Sequence, residues 1–202
     1  MDVFLATDRL LLRRFADGDA DYLVELDSDP EVMRYLNGGR PTARSHIERS
    51  VLPTILGEYE RDPDLGVFAA FAKKDGSVDS AVDSAFVGWF MLRRDEAGPR
   101  DEAELGYRLR RAAWGRGYAT EGSRVLLHHA FATIGLRRVH AETMAVNAGS
   151  RRVMEKLGLR YETTYFPPFA PIPGSEHGEV RYGLDRETWN TANERKNLHG
   201  LS

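Results

Sequence analysis

The chain has 202 residues, 42% of them hydrophobic and 29% charged, with no cysteine and a formal net charge of −3. That length suits one domain with a single core; the missing cysteines exclude disulfides and thiolate chemistry, and a charge this close to neutral argues against wholesale nucleic-acid binding. No run approaches the roughly 18 consecutive apolar residues of a membrane span, and the start, MDVFLATDRLLLRR, carries no positive stretch ahead of its apolar residues, so a cytoplasmic location is expected.

In chain order, RLLLRRF (Arg9 to Phe15) reads as a strand and DADYLVELDSDPEVMRYLN as a helix interrupted near Pro30. SHIERSVLPTILGEYER places Ile47, Val51, Ile55 and Tyr59 at helical spacing, with Pro53 as a point where the helix is expected to split. GVFAAFAKK and AFVGWFMLRR are two strands flanking a polar loop from Asp75 to Ser84. DEAELGYRLR is a third, with Leu105, Tyr107 and Leu109 on one face and Glu102, Glu104 and Arg108 on the other. From Thr120 the period changes: Val125, Leu126, His129, Ala130 and Ile134 recur at helical spacing until Gly135 ends the run. RRVHAETMAV is another strand, NAGSRRVMEKLG a short helix with Asn147 as N-cap and Gly158 as C-cap, and LRYETTYF a strand. FPPFAPIPGSEHGE is a Pro-rich loop, VRYGLDRETW the last strand, and TANERKNLHGLS a frayed tail.

Charge singles out the middle of this series. From Arg108 to Arg160 eleven cationic residues face only Glu121, Glu142 and Glu155, a local balance of +8 that leaves −11 for the rest. The segment is built to attract an anion. Within it, RRAAWGRGYATEG sets Gly115, Gly117 and Ala119 at a strand-to-helix junction. Small residues there let backbone N–H groups approach a ligand at the positive end of the helix, and Arg110, Arg111 and Arg116 add charge-assisted donors; a phosphate fits. The spacing is neither GxGxxG nor GK[ST]. The six histidines form no metal-binding pattern, so no metal is expected.

The order of elements and the wording WGRGYATE resemble the GCN-five-related N-acetyltransferases (GNAT), and within them the RimJ/RimL-type branch. The likeness runs from about Thr7 to Trp189. It is carried by TDRLLLR, DPEVMRYL, AELGYRL, the loop and NAGSRRVMEKLGL. The family's [Q/R]-x-x-G-x-[G/A] signature is matched by Gly117 and Ala119, with Trp114 departing at the Gln/Arg position.

The resemblance implies an α+β fold, a central, mostly antiparallel mixed sheet of about six to seven strands flanked by helices on both faces. It implies one N-acetyltransferase domain over 1–190 and a tail over 191–202. It implies acetyl-CoA as cosubstrate, with pantetheine along the strand end Leu109, Arg110 and Arg111, and pyrophosphate on the loop at Trp114, Gly115, Arg116, Gly117, Tyr118, Ala119 and Thr120. Asn147 is expected to hydrogen-bond the pantetheine as well as cap its helix, and Arg151, Arg152 and Lys156 are candidates for the adenosine phosphates. The chemistry is attack of an amine on a thioester, which needs a neutral amine, an oxyanion donor and a proton for the departing thiolate. Glu104 matches the family's base, with Glu102 in reserve. Where many relatives carry an acid tyrosine this chain has Met154, so Ser150 becomes the candidate acid. Three classes stand at this point: an N-acetyltransferase acting on a protein α-amine or a small-molecule amine, a non-catalytic acyl-CoA binder, and, disfavoured by the −11 elsewhere, a nucleic-acid binder. Homodimers are common in the branch.

Overall fold

Three consecutive leucines, Leu10 to Leu12, are all buried, which requires a strand covered on both faces. They belong to β2 (Leu10–Arg14), which follows the two-residue β1 (Leu5–Ala6) in a computed structural model that describes residues 2–74, 85–168 and 171–199. Helices α1 (Ala20–Ser28) and α2 (Pro30–Asn37) follow. They part at Asp29, whose side chain accepts from the Glu31 N–H while Pro30 occupies the first helical turn, where its missing N–H costs nothing. Gly38, at φ 77°, ends α2.

Residues 44–61 form one helical run: α3 (Arg44–His46), a wider π-type stretch (Ile47–Val51) and α4 (Leu52–Arg61). The split expected at Pro53 does not occur. The π-type turn ahead of the proline gives its ring room, and Pro53 falls in the first turn of α4.

Next come β3 (Gly66–Ala72), β4 (Ala85–Arg93) and β5 (Glu102–Leu109), then α5 (Tyr118–His128), extended by a π-type stretch to Ile134 and closed by Gly135 at φ 80°. The polar loop 75–84 lies outside the described residues. After β6 (Arg138–Met144), α6 (Ala148–Leu157) is capped by Asn147 and Gly158, and β7 (Arg160–Tyr165) and β8 (Glu179–Asp185) complete the sheet. Of the segment read as a tail, the described residues 191–199 instead continue α7 (Arg186–His199). Its first turn is anchored by the Arg186 N–H on the Arg137 carbonyl and by Trp189 against Phe131, and no Gly or Pro from Thr191 to His199 stops it.

The eight strands form one mixed sheet in the order β1-β2-β3-β4-β5-β6-β8-β7; β1 adds a strand too short for any sequence pattern to reveal. Every pair is antiparallel except β5 with β6, and that pairing stops early. Only Glu102 to Glu104 meet Arg138 to His140. Beyond them the strands separate, although β5 stays paired with β4 through Leu109 and β6 with β8 through Met144. The sheet therefore opens into a notch. On its other side β5 is held tightly: Val87, which a β-bulge leaves out of the β3 pairing, accepts from the Arg110 N–H at 2.9 Å, and a Cβ on the next residue, Gly88, would lie 2.1 Å from the Arg108 carbonyl oxygen.

Candidate active site

The notch widens into a cleft of about 1030 Å³, at the top of the range for ligand sites. Its walls are β5 from Glu104 to Leu109, β6 from Glu142 to Met144, the start of α5, one face of α6, α2 and the loop before β8. Where the strands part, the β5 backbone groups that β6 would have paired are left for a ligand.

The glycine loop sits at one end. Gly115 (φ 71°) and Gly117 (φ 82°, the N-cap of α5) hold left-handed backbone, and no side chain caps the helix. The N–H groups of Tyr118, Ala119 and Thr120 therefore lack intrahelical partners and lie at the positive helix end. A side chain on Gly115 would meet no protein atom within 4 Å, so the space in front of the loop is open. Arg9 braces the loop from behind: it donates to the Arg116 carbonyl at 3.0 Å, lies over the Tyr118 ring and pairs with Glu121. No local pattern marks Arg9, because its side-chain partners lie more than a hundred residues away.

Leu109, Trp114, Gly115, Gly117, Tyr118, Ala119, Thr120, Asn147 and Arg152 line the cleft, together with Glu104 and Ser150. Trp114 Nε1 donates to the Leu109 carbonyl at 2.8 Å. Three of the arginines proposed as phosphate donors are elsewhere. Arg110 donates to the Phe86 carbonyl and pairs with Glu25, Arg111 lies beside it in a shallow depression, and the Arg116 side chain leans toward Tyr118 outside the cleft wall. Arg151 is held by the Tyr182 hydroxyl and the Ala145 carbonyl, leaving Arg152 and Lys156 as the cations of α6 on the cleft. Asn147 spends both ends of its amide locally, accepting from the Ser150 N–H at 3.1 Å and donating to Thr143 Oγ1 at 3.0 Å.

The two candidate bases are separated by their surroundings. Glu102 is ion-paired with Arg137 and Arg138 outside the cleft. Glu104 projects into it, and its carboxyl is pushed up to about 7, first by burial and then by the charges of Glu142 and Asp95, with Arg93 and Arg181 opposing. Glu142, which accepts from Tyr165 and Arg181, and Glu179 line the same end. Burial and Glu142 also raise the Glu179 carboxyl. Neither Glu104 nor Glu179 has an ion-pair partner among the described residues.

At the middle of the cleft, Ser150 Oγ lies 2.9 Å from the hydroxyl of Tyr107. Alternation along β5 had grouped Tyr107 with the apolar face; its hydroxyl tip and its α6 neighbour are tertiary facts. Met154, one turn beyond Ser150, is buried in the cleft wall and offers no proton.

The parted sheet thus offers uncapped helical N–H groups, suited to an anion, at one end and, farther along, a raised carboxylate with no ion-pair partner among the described residues. The acetyltransferase (GNAT) domain model matches residues 9–160, and the chain belongs to that family, the acetyl-CoA-dependent acetyltransferases. It is 34% identical over 192 residues to the FsC-acetyl coenzyme A-N(2)-transacetylase of Aspergillus fumigatus, covering 92% of this chain and 77% of that protein. The fold is shared with RimL, a ribosomal L7/L12 alpha-N-protein acetyltransferase solved with coenzyme A, at a TM-score of 0.74 and 16% identity over 93% of this chain and 99% of that one. It is shared too with the spermidine N-acetyltransferase of Vibrio cholerae solved with CoA and spermine, at 0.70 and 17% over 91% and 99%.

Proposed function

We propose that the protein acetylates a primary amine on a small, positively charged molecule, with acetyl-CoA lying along β5 and its pyrophosphate on the amides of Gly115 to Thr120. The observation that carries this reading is the pair of carboxylates, Glu104 and Glu179, without an ion-pair partner among the described residues and beside Glu142 at the end of the cleft away from the glycine loop. Carboxylates raised by burial and by the charge of a shared neighbour, Glu142, are relieved by a cation, and an ammonium supplies it. The turn after α2 also meets the Pro-rich loop, where a methyl on Gly38 would lie 3.4 Å from Ile172, a residue of the cleft wall. The relative that acts as an N(2)-transacetylase and the neighbour solved with spermine support the same reading.

The residues divide the chemistry between them. Glu104, with its carboxyl near 7, is partly ionised at neutral pH, and in that form it takes the proton of the ammonium, directly or through water; the freed nitrogen lone pair attacks the thioester carbonyl. As the C–S bond breaks, its electron pair moves to sulfur, toward which the Ser150 hydroxyl is free to donate. Arg152 and Lys156 supply positive charge for the phosphates.

A panel of diamines, polyamines, amino-acid-derived amines and short peptides, assayed with acetyl-CoA for free thiol and for acetylated product, tests the assignment. Turnover is expected on the small cationic amines. Turnover confined to peptides with neutral N-terminal residues would overturn it.

A further inference from the structure

We infer that Tyr107 is a positioning residue for the transfer, holding the Ser150 hydroxyl so that its proton points at the departing sulfur. The inference rests on the reading of the cleft just given and adds to it a residue on a different element from the one that supplies the hydroxyl.

The geometry carries it. Tyr107 Oη lies 2.9 Å from Ser150 Oγ and 3.2 Å from the Ser150 carbonyl oxygen. A serine in the first turn of a helix ordinarily turns its hydroxyl onto nearby backbone. Here the only hydrogen-bonding partner of Ser150 Oγ among the described residues is the tyrosine, which reaches across from β5. Two arrangements of the two protons are available. In one, Tyr107 donates to the Ser150 carbonyl and Ser150 donates to Tyr107, so that both protons are used inside the pair. In the other, Tyr107 donates to Ser150 Oγ, and the serine proton is released toward the cleft that both residues line. Negative charge appearing on sulfur favours the second arrangement. The pair is a donor that turns toward the thiolate when it forms.

The Tyr107 phenol stays protonated throughout. Burial pushes it up to about 12, with the bond to Ser150 opposing, so it gives a hydrogen bond and keeps its proton. The balance is then simple: protons leaving the amine nitrogen go through Glu104 to water, the C–S pair goes to sulfur, and the thiolate takes a proton back from water. Met154, buried one turn beyond Ser150, carries no proton to give, and β5 adds a second hydroxyl beside that of Ser150.

The test is a double-mutant cycle on turnover with Tyr107→Phe, Ser150→Ala and the pair, at saturating acetyl-CoA and amine, with acetyl-CoA affinity and thermal unfolding measured on each. Tyr107→Phe is expected to lower kcat about tenfold with KM for acetyl-CoA changed less than about threefold, and the double variant to be no slower than Ser150→Ala alone. A Tyr107→Phe enzyme with the parent's kcat, or two losses that simply multiply, overturns the inference while leaving the acetyltransferase reading intact. A folded parent that binds CoA but acetylates no amine in the panel overturns both.

Discussion

Glu104 differs from Glu102, two residues earlier on the same strand face, only in what surrounds it. Arginines neutralise Glu102, whereas Glu104 meets burial and other carboxylates. Its carboxyl near 7 makes activity rise with pH through that value, because only the ionised form accepts a proton. Glu104→Gln should therefore lower kcat/KM about 10²-fold near neutrality, with the defect shrinking at higher pH as the amine deprotonates unaided; pH–rate profiles of parent and variant check this. The same shift has a stability consequence. Below the ordinary carboxyl value of 4.5 the group is protonated folded and unfolded alike, and nothing is lost. Between 4.5 and about 7 the unfolded chain releases its proton while the folded chain holds it, so stability falls as pH rises through that window and the loss is complete above it. Glu104→Gln should thus melt higher than the parent at about pH 8, by no more than about 3 kcal/mol, and close to it at about pH 4. A variant that is less stable at the higher pH would show that burial is not what raises the carboxyl.

At the scale of the element, α5 and the loop that leads into it work because of two glycines with opposite demands. Gly122 faces inward: a Cβ there would lie 2.3 Å from the Phe90 ring, so the helix rests on the sheet at a distance no side chain permits. Gly115 faces outward at φ 71°, with open space before it. Gly122→Ala should cost about 1–3 kcal/mol as an overpacked contact. Gly115→Ala should cost only about 1 kcal/mol of backbone strain yet weaken CoA binding more strongly, since its methyl projects into the ligand's space. Thermal unfolding and calorimetric titration of CoA on the two variants separate them; the reverse ranking in affinity would move the phosphate site off this loop. Gly117, at φ 82° and 3.3 Å from Arg9 if given a Cβ, combines both demands, so Gly117→Val should lose CoA affinity and some stability together.

Over the whole molecule, the cationic middle segment resolves into two parts. Several of its arginines close ion pairs on the outside of the sheet, among them Arg137 with Asp101 and Arg138 with Asp185. Arg152 and Lys156 keep the cleft positive on α6, while Glu104, Glu142 and Glu179 keep its other end negative. On the proposed reading, both substrates are drawn by charge of the opposite sign. Raising salt from about 0.05 to about 0.5 M shortens the screening length from roughly 14 to 4 Å, and KM for acetyl-CoA and for a cationic amine should both rise while kcat changes little. A KM for the amine that is indifferent to salt would argue for a neutral acceptor.

The strands from Leu10 to Asp185, the glycine loop and the caps at Asn147, Gly135 and Gly158 were legible in the sequence because each is governed by neighbours within a few residues: period-two or helical apolar spacing, a left-handed glycine, a side chain that reaches back one turn. Glu104 and Ser150 were legible as candidates because resemblance and local pattern named them. Tertiary structure alone decided the rest. Continuity of the helix through Pro53 depends on a π-type turn, and the course of α7 beyond Asn190 depends on Trp189 finding Phe131, 58 positions earlier. The displacement of Arg110 and Arg111 from the cleft follows from where Glu25 and the Phe86 carbonyl lie, and the pairing of Tyr107 with Ser150 from the parting of two strands. Local rules fix which backbone a segment prefers; which side chains end up facing one another, and hence which carboxylate is raised and which is neutralised, is set only when distant segments pack.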